Sequence, residues 1–115
     1  GIKLVHGENS FVMCGDASEK SESIMVKRFG SALECDVLKC GHHGSRTSTS
    51  EAFLKATNPT WAVISCGVDN SYGHPHQETL ERLNNDDVQV YRTDQLGTII
   101  ATSDGTNISW FSEKE

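Results

Sequence analysis

Short apolar runs broken by glycine- and asparagine-rich turns dominate the chain, and their lengths predict strands joined by brief helices. Residues 2–6 and 10–14 read as a β-hairpin turning through Gly7-Glu-Asn9. Ser18 is placed to cap a helix that carries Ile24, Met25 and Phe29 on one stripe and stops near Gly30. A strand over 35–40 follows. Ser48 and Glu51 have capping-box spacing for a short helix that ends before Asn58-Pro59. The continuous apolar run 61–66 predicts a strand buried on both faces. Pro75 suits the first position of a helix with Leu80 and Leu83 inward. A strand over 88–91 and a hairpin of 97–102 with 107–111 around Asp104-Gly105 complete the chain. The order β-β-α-β-α-β-α-β-β-β predicts an α/β fold, a mixed sheet with βαβ crossovers and helices mainly on one face. The opposite face then carries apolar side chains and is adhesive unless another layer or chain covers it.

Within this pattern the run Asp36-Val-Leu-Lys-Cys-Gly-His-His-Gly-Ser45 is the most informative. It delivers two adjacent imidazoles past the carboxyl end of a buried strand, where α/β sheets bind ligands. Asp16 follows Gly15 after an earlier strand in the same arrangement. The loop 67–76, with Asn70, Tyr72, His74 and His76, and the segment Arg92-Thr93-Asp94 also follow strands. Parallel central strands would bring all four groups to one edge. A carboxylate and several imidazoles there suit zinc or a related divalent ion, and Asp16 has two oxygens with which to bridge ions. The bland alternatives are a helix N-terminal carboxylate for Asp16 and a polar helix cap for His74 and His76. Ser45 beside His43 does not make a serine hydrolase, because the Gly-x-Ser-x-Gly elbow is absent.

Composition narrows the picture. At 115 residues the chain is read as one small domain, 1–115. Its formal net charge of −6 argues against gripping nucleic acid unaided, although a bound cation would change the local sign. Lys39, Arg46 and Lys55 offer a small basic rim near the His pair, or are simply solvated. The cysteines at 14, 35, 40 and 66 form no C-x-x-C pair, so buried free thiols are expected rather than a disulfide framework or a zinc ribbon. No run is long enough to cross a bilayer, and no signal peptide is visible.

The same residues resemble a known family. Phe11-Val-Met-Cys-Gly-Asp16, the His-pair segment, Thr47-Ser-Thr-Ser50, Ala62-Val-Ile-Ser65, Asp69-Asn-Ser-Tyr-Gly-His-Pro-His76, Tyr91-Arg-Thr-Asp94 and Gly97-Thr98 occur in the order seen in the C-terminal part of metallo-β-lactamase superfamily domains. The likeness is greatest to the domain of ComEC-type DNA-internalisation competence proteins. It implies about half of an αββα sandwich. It also implies zinc, two divalent ions in an intact domain, with Asp16 as bridging ligand and His43 as the last ligand histidine. His42 would face the substrate and join Asp16 as a catalytic group, an assignment that can be exchanged with His43. Ser45, Tyr72, His74 and His76 would contact substrate or support the ligands.

One departure qualifies the resemblance. The superfamily's His-x-His-x-Asp-His segment is absent, since His74-Pro-His76 continues with Gln77 and Glu78. The implied partners are therefore the rest of the polypeptide, including an upstream half-domain and membrane segments, together with DNA and a second copy docking on the uncovered sheet face. The implied location is outside the cytoplasmic membrane. The implied activity is metal-dependent phosphodiester hydrolysis in DNA uptake. A non-catalytic DNA-guiding module and a phosphocholine-esterase or RNA-processing relative are the rivals.

Overall fold

The computed structural model describes residues 2–68, 70 and 73–114, with the backbone alone at His42. Strands β1 (Ile2–His6), β2 (Asn9–Met13), β3 (Val37–Lys39), β4 (Trp61–Ile64) and β5 (Gln89–Arg92) form one sheet in the order in which they occur along the chain. β1 is antiparallel to β2, and β2 to β5 run parallel. The crossovers are helices α1 (Glu19–Phe29), α2 (Glu51–Thr57) and α3 (Gln77–Asn85). Because every crossover steps the same way and right-handed crossovers are the rule, all three belong on one face. The core agrees. Met25 and Val26 of α1, Phe53 and Leu54 of α2, and Leu80 and Leu83 of α3 pack with Val12, Leu38, Ala62 and Ile64 of the sheet. Burying each of the larger side chains contributes about 2 kcal/mol.

Local chemistry sets the ends of these helices. Ser18 Oγ accepts from the Ser21 amide at 3.4 Å, and Gly30, at φ 49°, ends α1 by donating to the Val26 carbonyl. Asn58 ends α2 in the left-handed region and donates to the Leu54 carbonyl at 2.7 Å. The expected cap of α2 is displaced by two residues. Ser50, not Ser48, accepts the Phe53 amide, while the buried Ser48 hydroxyl donates to the Gly41 carbonyl at 2.8 Å. The expected start of α3 is also displaced. Pro75 follows a cis peptide bond after His74, and the helix begins at Gln77 with His76 at its cap position.

The second sheet face is not bare. After a single helical turn, α4 (Thr93–Leu96), the hairpin of β6 (Ile99–Ser103) and β7 (Ile108–Ser112) forms a separate two-stranded sheet. Its Trp110 stacks on Tyr91 with ring centres 4.2 Å apart and tilts against Trp61 at 5.8 Å. Its tip is tied to the β1–β2 turn by Glu8 N–H donating to Gly105 O at 2.6 Å, and by Asn9 Nδ2 donating to Ser103 Oγ at 2.9 Å. The expectation of an uncovered face therefore holds only in part. Leu4, Phe11, Met13, Lys39, Val63 and Ala101 line an open, mostly apolar groove of ≈ 570 Å³ beside the hairpin. β4 is correspondingly sealed on the helix side at Ala62 and Ile64 and half-buried at Trp61 and Val63.

Candidate functional site

Parallel pairing places the carboxyl ends of β2, β3, β4 and β5 on one edge, so the loops that follow them are neighbours. Two glycines set how closely they pack. Gly41 opens the tight turn Gly41–Gly44, and a Cβ there would stand 3.0 Å from the Ala17 carbonyl oxygen and 3.3 Å from Cys14 Cβ. A Cβ on Gly44, at φ 80°, would meet Pro75 Cβ at 2.7 Å and Ile64 Cγ2 at 3.0 Å. The His turn is thus wedged between the loop bearing Asp16 and the loop bearing His74 and His76; Gly44 permits the second approach only as glycine, and a side chain at Gly41 would require the Ala17 carbonyl to shift by a few tenths of an ångström.

His43 sits in the left-handed region at φ 54°, exposed to solvent. Its Nδ1 lies 2.7 Å from the Ser65 carbonyl oxygen. A carbonyl only accepts, so Nδ1 carries a proton, and in the neutral ring Nε2 then has the lone pair. That is the tautomer with which imidazoles commonly ligate metals, oriented by a backbone carbonyl. The His74 ring lies 6.2 Å from the His43 ring at 23°, and the His76 ring 4.8 Å from that of His74 at 77°. His76 Nδ1 accepts the Arg46 amide at 2.9 Å, and the His76 amide donates to Gly44 O at 3.0 Å. Asn70 braces the same loop by accepting the His74 amide at 2.8 Å and donating to the His74 carbonyl at 2.6 Å.

Asp16 is exposed on the loop against Gly41. Asp69, Tyr72 and the His42 side chain lie outside the described residues. Among the described residues, no three His, Cys, Asp or Glu side chains converge closely enough to hold a metal ion. Ser45 is buried, with its Oγ 2.9 Å from Thr47 Oγ1 and accepting the Thr47 amide at 3.2 Å. Asp94 is clamped by Arg92 through contacts of 3.0 and 2.7 Å, which hold its carboxyl below the usual range. Burial, and Asp94 beside it, push the Cys66 thiol up. Burial pushes Cys14 and Cys40 up to about 12, so these thiols stay protonated at neutral pH. All four cysteines are free.

The expected basic rim does not assemble as a unit. Lys39 lines the apolar groove, and exposed Arg46 is 3.8 Å from Glu78. Lys55 lines a different groove with Asn58, Pro59, Asp86 and Val88, at the amino ends of β4 and β5. Helices in βαβ units run back against their strands, so the last turn of α2 lies at the edge away from the His turn.

A further set of polar residues escapes a motif-based reading. Glu22 on α1 is completely buried and accepts the Thr49 amide at 2.5 Å and the Ser50 amide at 2.9 Å. Arg82 on α3 donates to the carbonyls of Arg46 at 2.9 Å, Thr49 at 3.0 Å and Ser48 at 3.4 Å. Thr79 Oγ1 donates to Ser45 O at 2.9 Å. One signal was available: Glu22 falls three and four residues before Met25 and Val26 on one helical stripe, a carboxylate among inward positions.

Fold and site together define an α/β protein whose parallel strands end on an imidazole- and carboxylate-bearing edge. No family model matches the chain. It is 43% identical over 93 residues to ComE operon protein 3 of Bacillus subtilis and 37% identical over 98 residues to competence protein ComA of Neisseria gonorrhoeae. It is 44% identical over 82 residues to recombination protein 2 of Haemophilus influenzae. These matches cover 81%, 85% and 71% of the chain but 12%, 14% and 10% of the respective relatives. The chain thus spans about an eighth of the length of its relatives, and the similarity supports kinship with a segment of the competence proteins.

Proposed function

We propose that this chain is the C-terminal part of a metal-dependent phosphodiesterase-type domain, of metallo-β-lactamase type, within a competence protein that acts in DNA uptake. The observation that carries the reading is His43, whose Nδ1–H is held by the Ser65 carbonyl at 2.7 Å, which leaves Nε2 to ligate. Asp16, on the loop packed against Gly41 at the start of the same turn, would supply a bridging carboxylate. Zinc ions held there would acidify water and polarise a phosphodiester. By this reading His43 and Asp16 would hold the ions, His42 and Tyr72 would contact the substrate, His74 and His76 would position it or brace the ligands, and Ser45, buried with its Oγ against Thr47, would act only by bracing the turn. The upstream half of the polypeptide supplies the remaining ligands and covers the apolar groove, while membrane segments tether the domain outside the cytoplasmic membrane.

The test is metal content and nuclease activity of the longer protein that includes the preceding half-domain. Elemental analysis should give two zinc ions per chain, and His43→Ala or Asp16→Ala should remove at least one, with loss of cleavage of about a hundredfold or more. DNA binding without zinc uptake or cleavage would favour the guiding module instead. Cleavage of phosphocholine esters or RNA in place of DNA would favour the other relatives.

A further inference from the structure

The loop 45–50, which continues from the His turn, is held at every residue by groups from elsewhere in the fold. Thr79 Oγ1 takes the Ser45 carbonyl, and Arg82 takes those of Arg46, Ser48 and Thr49. The Glu19 amide donates to Thr47 O at 2.7 Å. Glu22 receives the amides of Thr49 and Ser50. The loop in turn grips the site at two points. Ser48 Oγ donates to Gly41 O, the first residue of the His turn, and the Arg46 amide donates to His76 Nδ1. Thr49 takes a left-handed φ of 55° that a β-branched residue rarely adopts. Such a conformation persists where the surroundings over-determine it.

We infer that Glu22 and Arg82 are positioning residues, a carboxylate and a guanidinium that grip opposite polar sides of loop 45–50 and thereby set where the His turn and His76 stand relative to each other. Both act through the loop backbone, Glu22 on its amides and Arg82 on its carbonyls. Two features make Glu22 the dominant member. Its carboxylate is wholly buried, and a buried anion is tolerated only where donors satisfy it. Those donors are two successive backbone amides, which an ionised, acceptor-only group can take together. A protonated carboxyl turns one oxygen into a donor, and glutamine presents an NH2 where an acceptor is needed, so either change breaks one of the two bonds. The titratable and charged groups facing Glu22 are the Cys14 and Cys40 thiols at the ends of β2 and β3 and the Arg82 guanidinium on α3. With both thiols protonated, Arg82 is the partner that favours the charged carboxylate.

The inference deepens the proposed reading of the same site, but its measurement needs neither metal nor substrate, so the two fail separately. The experiment is amide hydrogen exchange and NMR on the metal-free chain, comparing the parent with Glu22→Gln and Arg82→Gln. In Glu22→Gln the Thr49 and Ser50 amides should exchange at least about tenfold faster, equivalent to losing one buried hydrogen bond. The Leu38 and Ala62 amides of the central strands should be unchanged. The Arg46 amide and the His76 imidazole resonances should move together as their contact loosens, a readout that a merely structural role would leave in place. Acidification of the parent should reduce protection at Thr49 and Ser50, and Glu22→Gln should show no such dependence. If Glu22→Gln does not fold, Arg82→Gln carries the test, because that side chain is bound from the loop's carbonyl side and should release the same Arg46–His76 contact. An undisturbed Arg46–His76 contact in the folded variant would overturn the inference, as would unchanged loop protection.

Discussion

His43 depends on a backbone conformation that few side chains accept, and its neighbour Gly44 on one that almost none do. The chain tolerates both because the turn packs between two other loops. Glu22 illustrates the same trade in electrostatic form. Burial raises its carboxyl above the ordinary value, while the Ser50 and Thr49 amides and the Arg82 charge oppose the rise. The folded chain therefore binds this proton more tightly than the unfolded chain does. The contribution of Glu22 to stability is greatest in acid, below the unfolded carboxyl's pKa, and falls as pH rises through the interval up to the folded value. Denaturation of the parent and Glu22→Gln at a series of pH values should show the difference in unfolding free energy shifting against the parent from acid to neutral. A difference independent of pH would refute this. The buried carboxylate thus costs global stability at neutral pH while it orders one loop.

Among the elements, the short helix α2 shows how a local signal is read correctly in kind and wrongly in place. Four serines and threonines in a row before Glu51, Thr47 to Ser50, all have capping chemistry, and the sequence alone favours Ser48 through its spacing to Glu51. In the fold the Ser48 hydroxyl is taken by Gly41, so Ser50 caps. Ser50→Ala should lower stability by about 1 kcal/mol in urea denaturation, with an unchanged slope. Ser48→Ala should instead leave the Gly41 carbonyl short of a donor, cost about 1–3 kcal/mol, and perturb the His turn's resonances rather than those of α2. Equal effects of both variants on α2 alone would contradict the assignment. The strands were legible because apolar runs of β-branched residues leave little choice. The start of α3 was not, since Pro75 is held against Gly44 instead of entering the helix.

For the whole molecule, the decisive feature is the division of the sheet into a sealed face and a partly covered one. Helices α1 to α3 close the first, and the β6–β7 hairpin lies over part of the second through Trp110. The exposed side chains Ile2, Leu4 and Val5 of the edge strand β1 lie at the margin of the sheet. Trp110→Ala should remove the stack on Tyr91 and Trp61, cost about 2–4 kcal/mol, and widen the apolar groove. Sedimentation velocity should then show more self-association in the variant than in the parent at equal concentration. A variant as monomeric as its parent would show that the hairpin does not shield this face. No helix among the described residues is long and apolar enough to cross a membrane.

The sequence by itself determined the strands and the helices α1 to α3, the helix stops at Gly30 and Asn58, and the placing of Asp16, the His pair and the 74–76 loop after strands. Those are written locally, in periodicity, in glycines and in residue chemistry. Only the tertiary structure decided which loops touch, because the sequential order of four parallel strands makes them neighbours. It also decided the tautomer of His43, the burial of Ser45, the separation of Lys55 from the site, and the grip of Glu22 and Arg82 on loop 45–50. Apart from the position of Lys55, which follows from the direction of α2, these depend on partners more than 20 residues away, and no local pattern encodes a hydrogen bond across that distance.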